Sequence, residues 1–308
     1  MDCVMSASWR YSQQNGEGAA EQEDLYLETL GISEEERRGI VGLIEQGGTN
    51  IDPVVNYLVG ASNGLMYREL IGKLESYPIP ELPLADARGE LFLDVGCNWG
   101  RWCVAAARKG YRPVGLDPSL GAVMAARRVA EQLGLDANFV VGDARWLPFC
   151  DQTFDQIFSY SVIQHFSYGD AEKAIGDIGR VIRSTGQVLV QLPNVYGIRC
   201  LYHQARRRFR RPAGFDVRYW TPNRMVRTFN RSIGRARLSA DCFFGIGLQV
   251  ADIDMMPTSK KLVIKFSETL KRLAARVPFA TLVADSLWVE TGRRIDPRRE
   301  SPATGLGV

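Results

Sequence analysis

The stretch Leu93-Asp94-Val95-Gly96-Cys97-Asn98-Trp99-Gly100 reads as the end of a buried strand followed by a glycine-bearing turn. Glycine has no Cβ and tolerates positive φ, so a turn of this kind brings backbone N–H groups close to a ligand at the start of the next helix. A dinucleotide loop would run Gly-x-Gly-x-x-Gly. Here those places hold Gly96, Asn98 and Arg101, so two of the three glycines are missing. The pattern the stretch does meet is an acidic residue followed by Gly-x-Gly-x-Gly, with Asp94, Gly96 and Gly100 in place and Asn98 in the middle position. Asn98 either hydrogen-bonds a ligand through its amide or takes the left-handed conformation that asparagine tolerates. Trp99 is expected to pack against the N-terminal helices rather than to cover a cleft.

Outward from this turn, short apolar or β-branched runs alternate with alanine-rich helical stretches. Strands are predicted at Glu90–Val95, Arg112–Leu116, Asn138–Val141, Phe154–Tyr160 and Gly186–Leu192. The stretches RWCVAAARKG, SLGAVMAARRVAEQLG and DAEKAIGDIGRVIRS between them read as crossover helices, the last ended by Thr185-Gly186. Two later runs, RARLSADCFFGIG and DSLWVETGRR, finish the sheet, and a helix begins at Thr221-Pro222. The predicted fold is an α/β, Rossmann-like, doubly wound seven-stranded sheet, mostly parallel with its last strand antiparallel, carrying a helical N-terminal prefix and C-terminal insertions.

The expected organisation is a flexible N-terminus over 1–24, a helical prefix over 25–85, the catalytic domain over 86–295 with substrate-roof insertions at about 194–220 and 250–284, and a flexible tail over 296–308. The amphipathic helix from Ser259 to Arg276 falls in the second insertion. The 308 residues are 45% hydrophobic, enough for one large core, and 38 basic residues nearly cancel 35 acidic ones, so bulk charge names no partner. The six cysteines form no Cys-x-x-Cys pair and have no closely spaced histidine, which points to reduced, mostly buried thiols and no metal site. No signal-like segment or long apolar run occurs, and a cytoplasmic, soluble protein is expected.

Asp117 in VGLDPSL ends the second strand about twenty residues after the turn, where an acidic side chain accepts both ribose hydroxyls of a nucleoside. VVGDARWLPF and FDQIFSYSVIQHF then follow in order. On these four motifs the region Glu90–Leu192 resembles the class I S-adenosylmethionine-dependent methyltransferases, in particular the broad branch of quinone-biosynthesis and small-molecule enzymes. The resemblance implies S-adenosylmethionine as cofactor, held by Asp94, Gly96, Cys97, Asn98, Gly100, Asp117, Pro118, Asp143, Ala144, Ser159 and Tyr160. It puts Asp143 on the adenine amino group, the Ala144 backbone beside the ring, and Ser159 and Tyr160 at the opening of the active-site loop.

Methyl transfer from a sulfonium is an in-line displacement in which positioning carries most of the acceleration. A hydroxyl acceptor gains from a base, and His165, after the fourth strand, is either that base or a residue that holds its loop. The expected acceptor is a hydroxyl or amine of a small molecule, with Tyr160, Phe166, Tyr219 and Trp220 as pocket-lining candidates. The segment IRCLYHQARRRFRRPAGF carries Arg206, Arg207, Arg208, Arg210 and Arg211. It reads as a solvated helix face, as a contact for an acidic or lipid-like substrate or an anionic membrane, or as an RNA contact, and nucleic acid is the least favoured. Three other readings stay open: a catalytically silent S-adenosylmethionine-binding partner protein, an RNA methyltransferase, and an NAD(P)-dependent oxidoreductase.

Overall fold

The computed structural model describes residues 51–60, 67–245 and 247–292, so the expected flexible ends at 1–24 and 296–308, and parts of the prefix, lie outside the described residues. A seven-stranded sheet runs β3-β2-β1-β4-β5-β7-β6, with β1 Leu91–Val95, β2 Arg112–Asp117, β3 Asn138–Val141, β4 Phe154–Tyr160, β5 Ile182–Pro193, β6 Ala236–Cys242 and β7 Ser286–Gly292. All neighbours pair in parallel except β7, which is antiparallel to both β5 and β6. This is the predicted doubly wound topology. The chain reverses direction across the sheet between β1 and β4, and the crevice at the C-terminal strand ends there is where open α/β sheets bind ligands.

Helices fill the crossovers: α1 Pro53–Leu58, α2 Arg101–Arg108, α3 Leu120–Gln132, α4 Tyr168–Val181, α5 Ile198–Arg206, α6 Pro222–Ser232, α7 Thr258–Ala274 and the short α8 Pro278–Thr281. Ser119 caps α3 by accepting from Ala122 N, and Thr221 caps α6 by accepting from Arg224 N, with Pro222 in the first turn. The Gly186 start predicted for β5, and the helix predicted to reach it, are corrected. α4 ends at Val181, and β5 starts at Ile182, which pairs with Phe154 and is fully buried in the main core. Burial of that isoleucine against β4 outweighs the local helical pattern.

Trp99 is fully buried among Ile51, Val55 and Leu58 of the prefix and Ala122, Ala125 and Val129 of α3, with the Tyr77 ring tilted against it at 5.8 Å. It packs the prefix onto the sheet, as expected. The other side of α2 covers an aromatic cluster of Phe92, Phe158, Tyr160, Trp102 and Trp288. Cys97, Cys103, Cys200 and Cys242 are free, buried thiols; Cys150 departs from the expectation, being disulfide-bonded.

Candidate active site

The turn after β1 is built by two left-handed glycines with a left-handed asparagine between them. Gly96 has φ 82°, and a Cβ there would meet Val162 Cγ2 at 2.2 Å, so only glycine fits. Asn98 has φ 50°, and its side-chain oxygen accepts from Trp99 N at 2.7 Å, stabilising the turn locally. The loop amides are all engaged within the chain. Gly96 N and Cys97 N donate to Leu116 O, Asn98 N to Asp117 Oδ2, Trp99 N to Asn98 Oδ1, and Gly100 N to Cys97 O. The turn's own amides are therefore spent inside the chain, and two of the three glycines of a dinucleotide loop are absent, which together disfavour a dinucleotide reading.

Two ionisable groups beside this turn have no ion-pair or full hydrogen-bond partner among the described residues, although each feels the other's charge. Asp94 is fully buried and its Oδ1 has no hydrogen-bond partner, while Oδ2 receives only the Cys103 thiol at 3.7 Å. Burial pushes its carboxyl up to about 7. Arg101, the first residue of α2, is 5% exposed, and its guanidinium lies 5.2–5.7 Å from the rings of Tyr67, Trp102 and Tyr160. Its one hydrogen bond runs from Nη1 to Tyr67 OH at 3.3 Å; Tyr67 in turn donates to Asp252 Oδ1 at 2.7 Å. No carboxylate among the described residues pairs with it. A buried cation and a buried unpartnered carboxyl are each costly alone. A ligand carrying both a carboxylate and an ammonium, such as the amino-acid end of S-adenosylmethionine, would answer both. Arg101 and Tyr67 escaped the sequence reading. The available signal was an arginine in the first turn of a helix, where the macrodipole disfavours a cation.

Asp117 sits half-buried at the end of β2, where Oδ2 accepts from Asn98 N at 2.9 Å and Oδ1 from Ser119 N at 3.0 Å. Burial raises its carboxyl and these amides oppose the rise. Each oxygen keeps a lone pair for a ribose hydroxyl, and Pro118 beside it is exposed. Asp143 is clasped by Arg145, whose Nη2 donates to Oδ2 at 2.6 Å and whose backbone N donates to Oδ1 at 2.8 Å. An adenine amino group would share this carboxylate with the guanidinium. Ala144 is buried next to it.

At the end of β4 two expectations change. Ser159 is fully buried and its hydroxyl donates to Val95 O at 2.9 Å, so it clamps β4 to β1 and its donor is not free for a ligand. Tyr160 is also buried, its hydroxyl donating to Asp241 Oδ2 at 3.3 Å and its ring lying near Arg101. It reaches the cofactor region only through that ring contact. Cys97 likewise brings no accessible thiol: it is buried, and burial pushes its pKa well up.

Beyond Tyr160 the chain turns sharply. Ser161 has φ 65°, a strained value for serine, and its N donates to Gln191 Oε1 at 3.1 Å. Gln164, also missed by the sequence reading, is buried, donates from Nε2 to Ser161 Oγ at 3.0 Å, and leaves Oε1 without a partner. His165 stacks on Phe215 with centroids 4.0 Å apart, and its Nδ1 lies 2.8 Å from Phe215 O. A carbonyl partner fixes the proton on Nδ1. Burial lowers the imidazole pKa, so the ring is neutral at neutral pH. Of the other aromatic candidates, Trp220 belongs to the main core, and Phe166 and Tyr219 are half-buried, lying 5.9 Å from the Arg145 guanidinium and 5.8 Å from that of Arg207.

Residues 92–186 match the family described as "Methyltransferase domain". The chain is 27% identical over 106 residues to ubiquinone biosynthesis O-methyltransferase of Azorhizobium caulinodans, covering 34% of this chain and 38% of that protein. It is 35% identical over 101 residues to norajmaline N-methyltransferase of Rauvolfia serpentina, covering 32% and 34%, and 33% identical over 117 residues to demethylmenaquinone methyltransferase of Thermus thermophilus, covering 38% and 48%. The chain thus spans less than half the length of these relatives. Residues 92–186 thus resemble a methyltransferase domain, and the relatives they align with include quinone-biosynthesis methyltransferases.

Proposed function

We propose that the whole chain is a methyltransferase acting on a hydroxyl or amine of a small acceptor. The observation that carries the reading is the pair of unanswered charged groups, Asp94 and Arg101, flanking a turn whose own amides are all engaged. Asp94 takes the ammonium and Arg101 the carboxylate of the cofactor's amino-acid end, Asp117 holds the ribose, and Asp143 with the Ala144 backbone receives the adenine. Pro118 borders the nucleoside, and Gly96, Asn98 and Gly100 shape the turn. Bound S-adenosylmethionine supplies an electrophilic methyl group on a good leaving group.

The acceptor side is formed by the β4 turn and the segment that folds over it. Gln164 Oε1 offers a buried acceptor for the acceptor's O–H or N–H. His165, neutral with its proton held on Nδ1 by Phe215, has its Nε2 lone pair 3.5 Å from the Gln164 amide nitrogen, and an acceptor hydroxyl that displaces this weak contact would find Nε2 as its base. The O- and N-methyltransferases among the relatives support an acceptor of either kind. Calorimetric titration with S-adenosylhomocysteine tests the reading: Arg101→Leu and Asp94→Asn should each weaken binding at least tenfold in a folded protein. Unchanged affinity in both would remove the assignment.

A further inference from the structure

Two helices on the acceptor side turn their apolar faces outward. In α5 the residues Ile198, Leu201 and Tyr202, at the i, i+3 and i+4 spacing of one face, are all exposed, whereas Cys200 is its one buried residue. In α7, Leu262 (67% exposed), Phe266, Leu273 and Val277 just beyond its end form a second outward stripe, opposite buried Ile264, Ser267 and Ala274. A helix covering a globular core shows the reverse arrangement.

The two stripes share one surface. Asp285 Oδ1 accepts from Arg199 N and Cys200 N at the start of α5, and Asn194 Nδ2 donates to Leu282 O, just before the β7 strand. Arg199 Nη1 donates to Phe244 O, and Phe244 stacks on Phe266 of α7 with centroids 5.7 Å apart. Phe279, 81% exposed, stands in α8 between α7 and this junction. The surface is strongly basic. Residues 198–215 contain six arginines and no acidic residue, and residues 258–283 contain four lysines and two arginines against Glu268 alone. Arg206, Arg208, Arg210 and Arg211 are exposed and enter none of the ion pairs among the described residues.

We propose that this face docks the protein on an anionic lipid bilayer, with the apolar stripes of α5 and α7 entering the headgroup region and the arginines and lysines meeting lipid phosphates. An apolar stripe flanked by Lys and Arg is the composition of an interfacial helix. A second copy of the chain does not fit, because the same basic surface would face itself. The aliphatic members of the stripes, Ile198, Leu201, Leu262, Leu273 and Val277, gain nothing from RNA, which is bound by base stacking and phosphate contacts. The segment after α5 returns from this face to the cleft, where Phe215 meets His165, so docking would open the acceptor side toward the membrane. This deepens the reading above by making the acceptor an amphipathic, membrane-dwelling molecule.

The test is cosedimentation of the full chain with vesicles of phosphatidylcholine, with and without phosphatidylglycerol, alongside titration with S-adenosylhomocysteine. Binding to the anionic vesicles alone is expected. It should weaken about fivefold for each arginine removed in Arg206→Gln, Arg208→Gln, Arg210→Gln and Arg211→Gln, and also in Leu262→Ser with Phe279→Ser, while S-adenosylhomocysteine affinity stays unchanged in every variant. Absence of vesicle binding in a protein that still binds S-adenosylhomocysteine overturns the docking proposal and leaves the methyltransferase reading standing. Equal binding to neutral vesicles overturns it too. So does binding to an RNA oligonucleotide that depends on the arginines but not on Leu262 and Phe279, or a dimer abolished by the apolar substitutions. Loss of S-adenosylhomocysteine binding in the unaltered chain would instead strike the methyltransferase reading.

Discussion

The two halves of the sheet fix their polar groups over different ranges of sequence. Around β1 and β2 the key contact is short: Asn98 N reaches Asp117 across 19 residues, the one in the turn after β1 and the other at the last position of β2. Around β5, β7 and β6 the contacts are long. Tyr160 meets Asp241 across 81 residues, Cys200 meets Asp285 across 85, and Asn194 meets Leu282 across 88. A cofactor half assembled from local turns can be read from residue spacing. An acceptor half assembled from distant segments cannot.

If that contrast is sound, substitutions should separate by half. The largest effect is expected where the cofactor half meets the prefix. Trp99→Ala leaves a cavity between α3 and the prefix and should cost about 3–5 kcal/mol in denaturant unfolding. A loss below about 1 kcal/mol would mean that the tryptophan does not join the two. Next comes the acceptor half, where His165→Ala is expected to lower turnover about 10²–10⁴-fold with S-adenosylhomocysteine affinity unchanged. Retained turnover across pH would leave the ring only its contact with Phe215. In the cofactor half, Asp117→Ala should weaken S-adenosylhomocysteine about a hundredfold, as expected for lost hydrogen bonds to a charged group. A change in turnover alone would blur the division.

A smaller, pH-dependent effect sharpens it further. Asp94 holds its proton to about pH 7 in the folded chain. In an unfolded chain an aspartate ionises near about 3.9. Below the unfolded value both states are protonated and the group has no effect. Between the two values the folded state holds the extra proton, so stability falls as pH rises from about 4 to about 7. Cofactor affinity should run the other way, rising toward pH 7 and above as the carboxylate forms for the ligand's ammonium, and Asp94→Asn should flatten both trends. Calorimetry across pH measures the second, and an unchanged slope in the variant would remove Asp94 from the site.

The legibility of the sequence follows the same line. β3 and β4 fall where the apolar runs place them because their burial pattern is local, and the Gly96 and Gly100 turn is dictated by backbone geometry. The end of α4 was not legible, because it is decided by Ile182 pairing with a strand read much earlier in the chain. Ser159 read as a ligand contact, but Val95 O claims its hydroxyl, an outcome of two strands meeting side by side. Arg101 entered the reading only as a missing glycine, and it is the closing of Tyr67 and Tyr160 around it that makes it a buried cation without an ion-pair partner among the described residues. The α7 segment was legible as an amphipathic helix and the α5 segment as a basic one, but which side of either faced outward was not.

The most direct test of the central claim is a pair of calorimetric titrations of the full chain, one with S-adenosylhomocysteine and one with NADH. The account predicts binding of S-adenosylhomocysteine alone, with about 2.7 kcal/mol of added stability when ligand is present at about a hundred times its dissociation constant. Binding of NADH without S-adenosylhomocysteine would contradict it.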